Sequence, residues 1–105
     1  MPQYVIAYLG AGRSSSPEED KQHYKKYMDW LSSLGKSAVS PANPLRDTHT
    51  IASDGTVRPG STTTMSGYTI IETASMDQAL KIAKSCPFLD TGGSLEVSEL
   101  IQMSG

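Results

Sequence analysis

The sequence predicts an α+β domain of the ferredoxin-like kind, in which an antiparallel sheet with the order β-α-β-β-α-β carries two helices on one face. Three observations predict this fold. Two segments begin with helix-capping signals, each follows a run typical of a strand, and the two halves of the chain share this pattern. The length of 105 residues fits a single domain, residues 1–105.

The first half supplies a strand and a long helix. QYVIAYL, Gln3 to Leu9, is rich in β-branched and aromatic residues, and predicts a strand that is covered on both faces. Ser16 as the N-cap, with Glu19 three residues further on, predicts a helix from Pro17 to about Leu34. Its buried stripe is expected to contain Tyr24, Tyr27, Leu31 and Leu34, with His23 and Trp30 at the border with solvent.

The middle of the chain predicts short strands and loops. KSAVS, residues 36–40, is a strand candidate, and Pro41 and Pro44 exclude themselves and their neighbours from a central ladder. THTIA, residues 48–52, is a further candidate before the turn SDGT. RPGSTTTM, residues 58–65, has the composition of turn and loop.

The second half predicts a strand, a helix and a last strand. GYTIIETA, residues 67–74, has the clearest strand pattern. Ser75 as N-cap and Gln78 as its reciprocal partner open a helix that ends near Ser85, because Pro87 disfavours helical geometry in the residue before it. The apolar stripe of this helix is Met76, Ala79, Leu80 and Ala83, and the final strand, residues 94–103, has Leu95, Val97 and Ile101 on one side.

Apolar residues on both faces of two strands predict a homodimer. Both helices lie on one face of the sheet in this fold, which leaves the other face uncovered. The strands at Gln3–Leu9 and Tyr68–Ala74 nevertheless carry apolar side chains on both faces. The simplest cover for the second face is the sheet of another copy of the chain.

Composition excludes several classes of function. The formal charge of −2 and the pI of about 5.5 come with no basic stripe, which argues against nucleic-acid binding. Cys86 is the only cysteine, so no intrachain disulfide or multi-thiolate metal site can form. The two histidines lie on different elements with no metal-ligand spacing, and no phosphate-binding or dinucleotide-binding fingerprint is present, so we expect no metal and no cofactor. The N-terminal apolar run is too short to span a bilayer, which favours a soluble cytoplasmic protein without a membrane partner.

The stretch PANPLRDTHTI, residues 41–51, contains the most polar candidates. Asp47 and His49 stand two residues apart, so in a strand they project from one face, where a carboxylate can orient an imidazole for proton transfer. The alternative is that both side chains are solvated on an edge strand or loop.

Two further residues are candidates for chemistry. His23 lies one helical turn from Tyr27 and could line a cleft with the helix aromatics, or it could be an exposed helix histidine beside the core stripe. Cys86 could be a nucleophile, but its place after an apolar helix and before a proline favours a small buried hydrophobic residue.

Residues 66–103, SGYTIIETASMDQALKIAKSCPFLDTGGSLEVSELIQM, resemble the C-terminal half of the YCII-related family, also called the DGPF-domain family. The pattern GY.IIEA.S.DEAL..AK.CP....GG.IEV recurs in that family. MPQYVIAYLG at the N-terminus, WLSSLG at the end of the first helix and NPL at residues 43–45 are similar as well, so the resemblance spans nearly the whole chain.

The resemblance implies a dimeric α+β barrel with a small-molecule cleft near the first helix and the sheet. In some relatives a helix histidine paired with an acidic residue is a proposed catalytic pair, and His23 is close to that position, although its spacing to Gly35 is one residue longer. The Asp-Gly-Pro-Phe tetrapeptide itself is absent, because Thr56 follows Asp54-Gly55.

Two functional hypotheses follow. The first is a homodimer that binds a small organic molecule and carries out acid–base chemistry of the lyase or isomerase kind. Its catalytic candidates are His23, Asp47 and His49, and its ligand-binding candidates are Tyr8, Tyr27, Trp30 and Arg46. The second is a non-catalytic ligand-binding or regulatory interaction module, in which the polar stretch only connects strands.

Overall fold

The computed structural model describes residues 1–10 and 17–101. Its strands and helices are β1 Gln3–Leu9, α1 Pro17–Leu34, β2 Ala38–Pro44, β3 His49–Ile51, β4 Val57–Pro59, β5 Met65–Glu72, α2 Met76–Lys84 and β6 Ser94–Leu100. Short 3₁₀ turns, Gly35–Ser37 and Pro87–Thr91, follow the two helices. The predicted N-cap Ser16 and the end of the predicted last strand, residues 102–103, lie outside the described residues.

The main sheet has four strands in the order β2-β5-β1-β6, and all neighbouring pairs are antiparallel. This order places the first strand of each half at the centre and matches the ferredoxin-like arrangement. The predicted fold class is therefore confirmed. A separate two-stranded ribbon, formed by β3 and β4, lies between β2 and β5 in the chain.

The second strand is longer than predicted. It continues through Pro41 to Pro44, where the sequence indicated that the strand had already ended. The prolines are tolerated because β2 is an edge strand, and its pairing with β5 is irregular between Ala38 and Ser40 and again between Ser40 and Asn43.

The β3–β4 ribbon, His49 to Pro59, corrects a second expectation. Arg58 and Pro59 belong to β4 and not to a loop, since Arg58 pairs with Thr50 and Pro59 pairs with His49. The cross-strand pair at the tip, Ile51 and Val57, is 69% and 59% exposed, so it packs on little of the rest of the chain.

The core lies between the two helices and one face of the sheet. Ile6 and Ile71 are fully buried at its centre, and burial of each side chain contributes about 1.5–3 kcal/mol. The helices contribute four buried residues: Trp30 and Leu31 from α1, and Ala79 and Ala83 from α2. Both helices therefore cover the same face.

Each helix buries most of its predicted apolar stripe but exchanges one residue. In α1, Tyr27, Leu31 and Leu34 pack in the core as predicted, whereas Tyr24 is 64% exposed and Trp30, only 6% exposed, takes its place. In α2, Leu80 is exposed and Ile82 packs against the core instead. In each helix the spacing of apolar residues alone left one of them at the border between core and solvent. Packing against the sheet determined whether that residue is buried.

The start of α2 carries half of the predicted capping box. The Ser75 hydroxyl accepts a hydrogen bond from the Gln78 backbone N–H at 3.3 Å, as an N-cap should. The Gln78 side chain does not reach back to Ser75, because its Oε1 accepts a hydrogen bond from the buried Thr73 hydroxyl at 2.7 Å. The end of the helix at Lys84 agrees with the predicted stop.

The face of the sheet opposite the helices carries apolar side chains. Val5 pairs with Ile70 and Ala7 pairs with Tyr68 across β1 and β5, and all four residues are half-buried. They alternate with Tyr4, Ile6 and Tyr8, which lie under the helices. No helix within residues 1–10 and 17–101 is long and apolar enough to cross a membrane.

Candidate functional site

A cavity of about 570 Å³ lies between α1 and the edge of the sheet formed by β2 and β5. The helix lines one side with five residues: Asp20, His23, Tyr24, Tyr27 and Met28. The sheet lines the other side with Tyr8, Asn43 and Gly67, and Phe88 from the second 3₁₀ turn completes the wall. A volume of this size accommodates a small organic molecule.

Close approach of the backbone forms the sheet side of this cavity. Gly67 is buried, and a Cβ atom built on it would lie 3.0 Å from the Asn43 carbonyl oxygen and 3.5 Å from the Tyr8 ring. Glycine therefore permits β2 and Tyr8 to meet over β5 without a side chain between them.

Three hydroxyl groups connect the cavity wall to the sheet. The Tyr27 hydroxyl donates a hydrogen bond to the Tyr8 oxygen at 3.0 Å, and the Tyr8 hydroxyl is hydrogen-bonded to Thr69 Oγ1. The Thr69 hydroxyl donates in turn to the Pro41 carbonyl oxygen at 2.6 Å. We call this chain of groups, from Tyr27 through Tyr8 and Thr69 to Pro41, the hydroxyl relay. Burial raises the pKa of Tyr8 well above its usual value, so this phenol is neutral at physiological pH.

Aromatic contacts fix the positions of the two tyrosines. The Tyr8 ring meets Tyr27 edge-on at a centroid distance of 5.9 Å and lies 5.2 Å from Phe88. Trp30, a predicted ligand-binding residue, does not line the cavity. It stacks on Tyr27 at 6.0 Å, and its indole N–H donates to the Ser85 hydroxyl at 2.9 Å, so it holds Tyr27 in place from within the core.

His23 is the predicted catalytic residue that the structure places in the cavity wall. It is half-buried on α1, one turn before Tyr27, and Asp20 lies three residues earlier on the same side of the helix. No hydrogen bond joins the imidazole to another residue in the described part of the chain. The ring is therefore available to a molecule bound in the cavity.

Asp47, His49 and Arg46 lie outside the cavity. All three side chains are exposed, on the connection after β2 and at the start of the β3–β4 ribbon. Asp47 has a left-handed backbone conformation, with a φ of 56°, so it does not share a strand face with His49. The His49 Nδ1 atom lies 2.9 Å from the Asp47 backbone oxygen, which makes the contact one of main chain with ring and not of carboxylate with ring.

Cys86 is buried beside the relay. Burial is the main cause that raises its pKa to about 11, and the Tyr8 hydroxyl is close enough to interact with its sulfur. The thiol is therefore protonated near neutral pH, which agrees with the expected role as a small core residue. Within the described residues, no group of three His, Cys, Asp or Glu side chains is placed to hold a metal ion.

Nine cavity residues were not among the sequence candidates: Asp20, Tyr24, Met28, Ala42, Asn43, Pro44, Ser66, Gly67 and Phe88. The helical residues share a face with His23 and Tyr27, so helical spacing alone could have added Asp20 and Tyr24. Asn43 and Gly67 meet only through the pairing of β2 with β5, which depends on a strand that continues through two prolines.

The fold and the cavity together define an α+β sandwich of one sheet and two helices, with a small-molecule-sized cavity under the first helix. The YCII-related domain family matches residues 3–104, and the chain therefore belongs to that family. No curated protein matches the sequence.

A solved structure with a similar fold is 5-chloro-2-hydroxyhydroquinone dehydrochlorinase from Burkholderia phenoliruptrix AC1100, in complex with 2,5-dihydroxybenzoquinone. It is 16% identical, with a TM-score of 0.61 over 96% of this chain and 95% of that chain. At this identity the likeness shows a common fold.

Proposed function

We propose that the protein binds a small organic molecule in the cavity under α1 and transfers protons to or from it through His23. The observation that carries this proposal is the cavity itself, in which two hydrogen-bonded phenols and an imidazole with no hydrogen-bonding partner among the described residues line one space of about 570 Å³. Apolar walls with a few convergent polar groups are typical of small-molecule sites.

The chemistry of the wall favours His23 as the proton-transfer group. Tyr8 stays neutral because of its burial, and Cys86 stays a thiol for the same reason. An imidazole has one ring nitrogen that can accept a proton and one that can donate it, so it can serve as base and as acid during one reaction. Asp20, on the same helix face, can balance the positive charge of the imidazolium.

The similar fold of the dehydrochlorinase supports the class of ligand. That enzyme acts on a chlorinated hydroxyhydroquinone and holds a dihydroxybenzoquinone. A lyase-like or isomerase-like reaction on a polyhydroxylated ring needs a base to remove a proton and an acid to return it. We therefore propose this reaction class for the present protein.

We also propose that two copies pack through the open faces of their sheets. Val5, Ala7, Tyr68 and Ile70 form a continuous apolar group on that face, and each gains from losing contact with water. The thickness of one protomer along its shortest axis is 18 Å, which is that of a sheet with helices on one side.

The two histidines of the chain give a matched test of the cavity. We expect hydroxyhydroquinone, used under argon as an uncharged phenolic probe, to shift the amide NMR signals of cavity residues in the wild type and in His49→Gln, and to bind more weakly to His23→Gln. Catalysis is tested in D2O, where exchange of the ring hydrogens of the probe should be accelerated by the wild type and His49→Gln but not by His23→Gln. Equal behaviour of the two variants would rule out the proposed role of His23.

The dimer has its own test. Multi-angle light scattering should give twice the chain mass for the wild type and for Ile51→Asp on the ribbon, and the mass of one chain for Ile70→Asp. A monomeric wild type at micromolar concentration would refute the sheet-to-sheet proposal.

A second candidate is a non-catalytic binding module. It is favoured by the isolation of the His23 imidazole, since no described carboxylate is hydrogen-bonded to it to fix its tautomer. In that case His23→Gln would change the affinity for the probe while the ring hydrogens exchange at the same rate with and without wild-type protein.

A further inference from the structure

The Pro41 carbonyl oxygen, at the end of the hydroxyl relay, fixes the donor and the acceptor of every hydrogen bond in it. The Pro41 carbonyl oxygen can only accept, so Thr69 must use its single proton there. The contact between Tyr8 and Thr69 can then be made only with Tyr8 as the donor. Since the Tyr8 proton is thereby used, Tyr27 must donate to Tyr8, which is the direction that the geometry gives.

The fixed direction determines what Tyr27 offers to the cavity. Its only hydroxyl proton is donated to Tyr8, so the phenolic oxygen of this cavity-lining residue has only lone pairs left for a bound molecule. No described residue donates a hydrogen bond to that oxygen. Tyr27 is therefore an acceptor for a bound molecule and cannot be a donor without breaking the relay.

The other polar groups of the sheet side offer few free donors. The Asn43 amide donates to the Ser40 carbonyl oxygen at 3.2 Å and to the Tyr68 carbonyl oxygen at 3.2 Å. The Ser66 hydroxyl is 3.5 Å from the Tyr8 carbonyl oxygen, in a long and weak contact. A bound acceptor group thus meets few free donors at the sheet side, whereas a bound O–H or N–H group finds the Tyr27 oxygen.

The relay also cannot carry a proton away from the ligand. It ends on a peptide carbonyl oxygen, which has no proton to pass on, and its central phenol is held neutral by burial. Its role is therefore recognition. In the proposed function, His23 transfers the proton from the helix side of the cavity.

From this arrangement we propose that the hydroxyl relay selects uncharged ligands that donate a hydrogen bond to the Tyr27 oxygen, such as phenols and enols, over ligands that can only accept. This inference rests on the proposed function, because it concerns the ligand of the same cavity. Tyr27 is the specificity-determining residue, and Thr69 is a positioning residue that sets the direction of its proton without touching the ligand.

Phenol and anisole test the proposal, because anisole has the same ring and an acceptor oxygen but no proton to donate. Affinities are measured from amide NMR shifts of cavity residues at pH 7, where phenol is uncharged. We expect the wild type to bind phenol about fivefold more tightly than anisole, the value of one net hydrogen bond. Thr69→Val should reduce this ratio to about one, because Tyr8 loses its acceptor and the Tyr27 proton is freed toward the cavity.

Two matched variants isolate the relay. Thr73→Val removes another buried threonine hydroxyl, one that is bonded to Gln78 away from the cavity, and should keep the wild-type ratio. Tyr27→Phe should lose the preference for phenol, whereas Tyr4→Phe, which removes a tyrosine hydroxyl outside the cavity lining, should retain it. The tyrosine pair provides the answer even if Thr69→Val does not fold.

The outcomes separate the two proposals. Equal affinity of the wild type for phenol and anisole at the cavity would overturn the donor selection and leave the proposed ligand site standing. A ratio in Tyr27→Phe equal to that in Tyr4→Phe would also overturn it. Binding of neither compound at millimolar concentration would overturn the proposed function together with the inference.

Discussion

Trp30 connects the two helices to the wall of the cavity, and its removal should affect both stability and binding. Its ring is buried and stacks on Tyr27, and its indole N–H donates to Ser85 on the far side, with the Ile82 carbonyl oxygen 3.3 Å away. Truncation to alanine leaves a large void next to Tyr27. We expect Trp30→Ala to lower the free energy of unfolding by about 3–5 kcal/mol, the range for buried aromatic residues.

Trp30→Phe separates packing from hydrogen bonding. It keeps a ring on Tyr27 and loses the indole N–H, while the Ser85 hydroxyl still has its own bond to the Ile82 carbonyl oxygen at 2.7 Å. One net hydrogen bond and a smaller ring predict a loss of about 1–2 kcal/mol. Tyr24→Ala, which removes an exposed aromatic ring from the same helix, should change the stability by about 0.5 kcal/mol.

Urea unfolding followed by far-ultraviolet circular dichroism measures all three variants at one protein concentration. With a urea dependence of about 1.5 kcal/mol per molar, Trp30→Ala should lower the midpoint by about 2–3 M. Midpoints of Trp30→Ala and Tyr24→Ala that agree within error would refute the assignment of Trp30 to the core and of Tyr24 to the surface.

Three further predictions concern the surroundings of the cavity. Gly93→Ala should reduce phenol binding several-fold relative to Ser94→Ala in NMR titrations, because its Cβ would lie 2.3 Å from the Phe88 ring that lines the cavity. Gly67→Ala should reduce it too, through a Cβ at 3.0 Å from the carbonyl oxygen of the neighbouring strand, and unchanged binding in either variant would contradict the described wall. The folded-state pKa of Cys86, about 11, lies above the usual 9, so the protonated thiol stabilises the fold below about pH 9 and that stability is lost as the pH rises toward 11. Urea midpoints from pH 7 to 11 should therefore fall less steeply in Cys86→Ala, and alkylation of native Cys86 at pH 8 should be slow until the protein unfolds; fast native alkylation would speak against a buried thiol.

The order of elements could be predicted from the sequence because local signals agree with the fold. Pro17 and Ser75 mark the starts of the helices, and the apolar runs around Ile6 and Ile71 mark the central strands. The continuation of β2 through Pro41 could not be predicted in the same way, since proline is acceptable in a strand only at an edge, and edge position is a property of the whole sheet.

The candidate site was predictable in part. His23, Tyr27 and Tyr8 were recognised because two of them share a helix face and the third lies on the central strand, and all three line the cavity. The sequence prediction placed Asp47 and His49 on one face of a continuous strand. Asp47 instead has a left-handed backbone conformation before the strand begins, so the two side chains do not share a face. The functional roles of all these site candidates, inside the cavity and outside it, stay predictions.

The two prolines of β2 also limit how copies of this protein can aggregate. Pro41 and Pro44 remove two backbone donors from one edge of the sheet, and the irregular pairing of β2 bends that edge further. The opposite edge, β6, is regular over its pairing with β1 from Ser94 to Leu100 and contains no proline. The main sheet of each copy thus has one regular edge, β6, that a neighbouring strand can extend. Two copies that join through β6 use up this edge of both main sheets, so strand addition there stops at a pair.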